Sequence, residues 1–167
     1  MTRVFRALDP NKDRAAVRDF LAEAQDYYHL WLNHAPGEAE VEDIFTSAPP
    51  GCDPARSCRI GLFVQDRLSG EAELSFGFPE AGDAYLGLMI LAPRIRGQGH
   101  GAAFTREILD LARRHTDGPR IFLAVLEKNP RGRAFWSRMG FVPTGITRDF
   151  TENGVAHRAH RLMRPLT

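Results

Sequence analysis

The residues best suited to chemistry lie between Leu91 and Phe104, where Arg96-Gly97-Gln98-Gly99-His100-Gly101 follows an apolar run and opens an amphipathic stretch. Gly97, Gly99 and Gly101 remove Cβ at alternate positions, so successive backbone N–H groups can converge closely on an anion. From Gly99 the chain turns helical, with Phe104, Ile108, Leu111 and Ala112 spaced for one buried face. The loop therefore stands at a helix N-terminus, where unpaired N–H groups and the positive end of the macrodipole favour a phosphate. Arg94 and Arg96 add formal positive charge beside it. Three readings fit these residues. One is a turn packing a helix on a sheet, and another is a pyrophosphate cradle. The third is a dinucleotide fold, because Gly97-Gln-Gly99-His-Gly101-Ala102 matches Gly-x-Gly-x-x-Gly/Ala and Glu127 could serve as its ribose acid.

Other reactive side chains carry less. Cys52 and Cys58 share one Pro/Gly-rich segment and are read as reduced thiols in a loop or core. The six histidines have no metal spacing with them, and His157 and His160, three apart on a predicted strand, face opposite sides. No metal is expected.

Positioning the loop requires a strand before it and a helix after it. Ala84 to Leu91 has the length and apolar character of a buried strand, which Pro93 ends. Upstream, Thr2 to Leu8 reads as a first strand. A helix follows on Val17, Phe20, Leu21, Ala24, Tyr28 and Trp31, capped by Asn11 or Asp13, and a short acidic helix spans Glu38 to Asp43. Arg59 to Val64, a turn over Asp66 to Gly70, and Glu71 to Phe78 make a hairpin feeding the central strand. Downstream, Arg120 to Leu126 is a strand reached through a helical crossover, hence parallel to Ala84 to Leu91. Pro130 opens a helix that Gly140 closes, and Thr144 to Phe150, an Asn153-Gly154 turn and Val155 to Met163 finish as a hairpin. The sum, β-α-α-β-β-β-α-β-α-β-β, is an α/β fold with a mixed sheet and helices on both faces.

Composition bounds the partners. With 167 residues, 43% hydrophobic and 26% charged, the chain forms a single domain over 1–167 that buries roughly 70% of its unfolded surface. A net charge of +1 from 22 basic and 21 acidic side chains recruits neither nucleic acid nor an anionic membrane surface, so a small partner is expected. No secretory apolar segment opens the sequence and no run approaches the length of a membrane span, which points to the cytoplasm.

Arg96-Gly97-Gln98-Gly99-His100-Gly101 resembles the Arg/Gln-x-x-Gly-x-Gly/Ala signature of the GNAT superfamily of acyl-CoA-dependent N-acetyltransferases, and the element order is similar along essentially the whole chain. An independent match lies at Asn129-Pro-Arg-Gly-Arg-Ala-Phe-Trp-Ser-Arg-Met-Gly-Phe141, which looks like the family's Asn-x-x-Ala-x-x-Phe-Tyr-x-x-x-Gly-Phe with Gly132 for the usual Ala. A dinucleotide fold predicts neither that segment nor three strands ahead of its first glycine loop. Tyr27-Tyr28, Pro49-Pro50-Gly51, Gly77-Phe78-Pro79 and Phe135-Trp136 further resemble a bacterial subgroup whose acceptors are unassigned.

The resemblance implies acetyl-CoA lying between two parallel strands that splay apart, its pantetheine arm paired with backbone at Met89, Ile90 and Leu91. It places the pyrophosphate on Arg96, Gly97, Gln98, Gly99, His100 and Gly101, and adds Asn129, Arg133, Phe135 and Trp136 as further cofactor-binding residues, Trp136 shaping the thiol pocket. It implies direct attack by a primary amine of a small molecule or peptide, with no covalent enzyme intermediate. Where many relatives carry a Tyr acid this chain has Trp136, whose indole N–H does not give up its proton at neutral pH. Where some carry a Glu base on the central strand it has Tyr85. Glu127 is then a candidate base, with Tyr28 a second catalytic candidate in the group Asp26, Tyr27, Tyr28 and His29. Glu127 beside Lys128 also reads as a solvated turn acid, and Tyr28 as core. A catalytically silent CoA-binding module is the alternative function. By analogy with such folds, a homodimer through the last hairpin or an exposed sheet edge is the candidate assembly.

Overall fold

In the computed structural model, which describes residues 2–167, the chain runs β1 (Arg3–Ala7), α1 (Arg14–Glu23), α2 (Gln25–Leu32), α3 (Glu38–Thr46), β2 (Cys58–Val64), β3 (Arg67–Phe76), β4 (Ala84–Leu91), α4 (His100–His115), β5 (Arg120–Leu126), α5 (Pro130–Arg138), β6 (Val142–Glu152) and β7 (Val155–Pro165). One seven-stranded mixed sheet results, in the order β1-β2-β3-β4-β5-β7-β6. Strands β4 and β5 are parallel, as the helical crossover through α4 requires; every other neighbouring pair is antiparallel.

Three details differ from the sequence reading. The first helix is two, broken at Ala24 (φ −93°, ψ 24°), whose N–H closes α1 on Phe20 while α2 starts afresh. The break re-aims the second half, sinking Tyr28 and Leu32 into the core and leaving Tyr27 and Trp31 half-buried against it. Asp13 occupies the cap position of α1 but makes no side-chain cap, because its carboxylate accepts from Asp9 N and pairs with Arg6 at 2.8 Å. The first hairpin turns on Gln65 and Asp66, with φ of 51° and 63°, in place of the expected Asp66 to Gly70, so β3 starts at Arg67, four residues before Glu71. A two-residue turn with both φ positive suits the twist of paired strands, and a polar Gln-Asp pair accepts it less visibly than Asn-Gly would.

The core is laid against both faces of the sheet. On one side Phe104 and Ile108 of α4 are buried, Phe104 stacking on Phe5 with centroids 5.5 Å apart. On the other, α3 is tied to the sheet by Arg59, which donates to Ile44 O at 2.8 Å and to Ser47 O at 2.7 Å. Glu71, Glu73 and Ser75 point to that second side, alternating with Ala72, Leu74 and Phe76 on the first.

Candidate functional site

The site begins where the ladder stops. β4 and β5 pair only at Ala84↔Ile121, Tyr85↔Phe122 and Leu86↔Leu123. Beyond Leu86 the two strands part, so β4 backbone groups that point toward β5 have no ladder partner. At the same place the β3–β4 register slips, Leu74 facing Leu86 but Glu73 facing Leu88, which leaves Gly87 as a bulge. Glycine fits there for a local reason, since a Cβ at Gly87 would lie 3.3 Å from Glu73 Oε1.

A cleft of about 530 Å³ opens over this parting, walled by Tyr27, Trp31, Glu73, Tyr85, Trp136 and Arg161 among others. Glu73 is its innermost carboxylate. It is 6% exposed, 3.8 Å from Arg59 Nη1 and 3.4 Å from the Ser75 hydroxyl that donates to it. Burial pushes its carboxyl above the usual range, with Arg59 and Ser75 opposing. Asp43 of α3 also lines the cleft, and burial together with Glu40 and Glu42 pushes it up too. Tyr85 is half-buried, its ring edge-on to Phe78 at 5.0 Å, and burial raises its phenol so that it stays protonated.

At the Leu91 end of β4 stands the glycine loop. Gly97 and Gly99 have φ of 73° and 84°, and Gly99 is the cap residue of the 16-residue α4. A Cβ at either would meet nothing within 4 Å, so conformation and not crowding selects glycine there. Gly101 differs, buried in the first turn of α4 where a Cβ would lie 3.0 Å from the Phe135 ring. The arginines carry less free charge than the sequence suggests. Arg96 donates to Leu91 O at 3.0 Å and forks onto Asp26, while Arg94 is held by Glu23, Leu68 O and Ser69. Exposed Gln98 donates to Arg94 O, and His100 is buried and kept neutral by burial and by Arg3, whose Nε donates to its Nδ1 at 3.1 Å.

The residues of α5 flank the parting from the other side. Asn129 lines the cleft and caps α5, its Oδ1 accepting from Gly132 N at 2.9 Å. A Cβ at Gly132 would come 2.5 Å from Asn129 Nδ2, so an alanine here would require the Asn129 amide to shift. Trp136 is 8% exposed, packed edge-on against Phe135 and Phe141. Arg133 is exposed. Met89 and Leu91 are half-buried and Ile90 is 4% exposed along the free stretch of β4.

Two catalytic candidates are placed differently from Glu73 and Tyr85. Glu127 lies past the end of β5, half-exposed, with Oε1 3.1 Å from His160 Nε2, and does not line the cleft. The odd positions of β5 face away from Tyr85, and the carboxylate continues that parity. Tyr28 borders the cleft but is 3% exposed, a core residue whose phenol burial raises steeply. Sequence reasoning missed Glu73, Gly87, Arg148 and Arg161. The lone Gly87 in an apolar strand was the available signal for a bulge.

These features suit coenzyme A: unpaired strand groups for its amide-bearing arm, and exposed glycine amides at a helix N-terminus for its pyrophosphate. Among the described residues no three His, Cys, Asp or Glu side chains are grouped to hold a metal. Among the described residues no helix is long and apolar enough to cross a membrane. A mixed sheet whose central parallel strands part beside such a loop defines the acetyltransferase class. Residues 17–141 match the Acetyltransferase (GNAT) family, and the chain belongs to it. An acetyltransferase from Thermus thermophilus superposes with a TM-score of 0.72 at 26% identity, over 99% of this chain and 97% of that one. The ribosomal-protein-S18-alanine N-acetyltransferase of Escherichia coli gives 0.73 at 15% identity, over 99% and 95%. Salmonella typhimurium yncA, solved with its cofactor acetyl-CoA, gives 0.71 at 14% identity, over 100% and 95%. No curated protein is significantly similar in sequence.

Proposed function

We propose that this protein transfers an acetyl group from acetyl-CoA directly to a primary amine, in the cytoplasm, with Glu73 as the proton acceptor. The observation that carries the reading is the parting of β4 from β5 after Leu86, beside a bulge and directly over a buried carboxylate. Met89, Ile90 and Leu91 would pair with the pantetheine arm through their backbones, and the amides from Gly97 to Gly101 would hold the pyrophosphate, with Asn129, Arg133, Phe135 and Trp136 lining the remainder of the cofactor. Bound acetyl-CoA supplies an activated thioester, and transfer forms the C–N bond as the C–S bond breaks, the electron pair leaving on sulfur.

Glu73 takes the proton that the amine nitrogen must shed. Its raised pKa makes it a better acceptor than an exposed glutamate, and its burial beside Arg59 fixes its direction. N–H groups of β4 facing β5 are free to donate to a carbonyl oxygen over the parting. Tyr85, protonated, can donate a hydrogen bond to the acceptor. Trp136 shapes the pocket and cannot protonate the leaving sulfur, which solvent does.

That last point is what favours the alternative, a silent CoA-binding module. Calorimetric titration with acetyl-CoA, with NAD as control, followed by steady-state transfer to a panel of primary amines decides between them. Micromolar binding of acetyl-CoA alone and turnover of an amine are expected, with Glu73→Gln lowering kcat by about 10²-fold or more and Glu127→Ala doing much less. Binding accompanied only by solvent hydrolysis would establish the module, and binding of NAD instead would overturn both readings.

A further inference from the structure

The acceptor end of the cleft has two walls of opposite charge. One is acidic: Glu73 on β3 with Glu40 and Asp43 on α3. The other carries Arg161 of β7 and Arg148 of β6, with Glu152 farther along β6 toward the hairpin turn. Register puts Arg161 opposite Ala124, one residue past the last β4–β5 pair, and puts Glu73 opposite Leu88. The two charges therefore flank the parting at the same level of the sheet. Three strand spacings, one of them widened by the parting, put their backbones more than about 14 Å apart, and both side chains reach inward from that. The Arg161 guanidinium lies 5.2 Å from the centre of the Phe78 ring, and Phe78 meets Tyr85, so the charge leans from β7 toward β4.

Neither Arg148 nor Arg161 has a side-chain hydrogen bond or ion pair among the described residues, in contrast to Arg158 on the same strand pair, which forks onto Asp149. The cofactor does not account for them. The glycine loop begins beyond Leu91, about four strand residues or roughly 13 Å along the sheet from the level of Arg161 and across the parting from it, so phosphate groups held there are out of reach of its guanidinium. Arg148 is exposed and Arg161 half-buried at the mouth of the cleft, so a neutral amine leaves both guanidiniums to water, whereas an amine that also carries an anion gains their pairing.

We propose that the acceptor is a small primary amine that also carries an anion a few bonds from its nitrogen, an amino-acid-like zwitterion, with its amine toward Glu73 and its anion on Arg161 and Arg148. A planar guanidinium receives a carboxylate through two parallel hydrogen bonds, which also fixes the amine's approach. This rests on the acetyl-transfer reading above. The test uses the whole protein and two readouts. Steady-state transfer is compared for amino acids, their carboxamides and the matching aminoalkyl phosphonates, and calorimetry measures amino-acid binding to the protein saturated with CoA. The acids should exceed their amides in kcat/KM by about 10- to 100-fold, the contribution of a charge-assisted pair. Arg161→Gln should collapse that preference and weaken amino-acid binding equally, and Arg161→Lys should restore part, with acetyl-CoA affinity reporting that each variant is folded. Phosphonates outperforming carboxylates would make the anion a phosphate and keep the inference. Amides used as well as acids, or a preference untouched in Arg161→Gln, would overturn it while leaving acetyl transfer standing. No turnover of any amine would instead remove the transfer reading and this inference with it.

Discussion

Glu71 and Glu73 share one face of β3, two residues apart, yet only Glu73 reaches the cleft. Glu71 is 0% exposed and neither of its oxygens has a partner, so burial, reinforced by Glu73, raises its pKa well above the usual carboxylate range despite Arg59. Its neighbours feel it: burial first, then Glu71, pushes the Tyr27 phenol up to about 12. Because the folded state holds this proton more tightly than the unfolded chain, its stability is fully present below the ordinary glutamate pKa of about 4.3 and is lost as pH rises through the raised value. Glu71→Gln keeps the shape and removes the charge. Denaturant unfolding should therefore show the variant equal to the parent near pH ~4 and more stable by about 1–3 kcal/mol at pH ~9. Parallel stability curves across that range would show that Glu71 has a partner after all. In the sequence these acids alternate with Ala72, Leu74 and Phe76 in a hairpin strand, and nothing local says what covers their face. What they become was hidden because burial on that face comes from α2 and α3, which lie roughly 25 to 45 residues upstream.

Elements were more legible than the side chains they carry. The spans of β4 and β5 follow from their apolar runs, and the start of α4 follows from the glycine loop, since each is set by local chemistry. The break at Ala24 and the Gln65-Asp66 turn were not, because neither has a glycine or proline to mark it and both are fixed by packing on either side. The start of α4 allows a sharp test. At Gly99 the backbone is left-handed and nothing crowds a Cβ, so Gly99→Ala isolates the conformational cost, about 1–2 kcal/mol for an L residue in that region. The variant should fold, unfold at correspondingly lower denaturant, and bind acetyl-CoA more weakly as the loop amides turn away. A variant as stable as its parent would mean that the loop's left-handed geometry is not enforced by α4.

At the scale of the whole molecule, the sheet is held together unevenly. From β1 to β4, and again from β5 to β6, ladders run nearly the length of each strand, but the two halves are stitched by only three residue pairs, at Ala84 to Leu86. Everything beyond is a gap between two parallel strands, and a ligand with amides spaced along a chain is the natural way to close it. If acetyl-CoA does so, it acts as an extra strand, and its effect on the native state is predictable without any knowledge of the acceptor. Saturation at 100 times Kd adds about 2.7 kcal/mol to global stability by mass action. Hydrogen exchange should add a local signature on top of that. Amides between Leu88 and Leu91 and in the Gly97–Gly101 loop should gain protection beyond the global increment, whereas Ala84 to Leu86, already paired to β5, should gain only the global share. Extra protection confined to the β6–β7 hairpin, with the free stretch of β4 unchanged, would place the cofactor outside the parting and detach the glycine loop from the cleft it leads into.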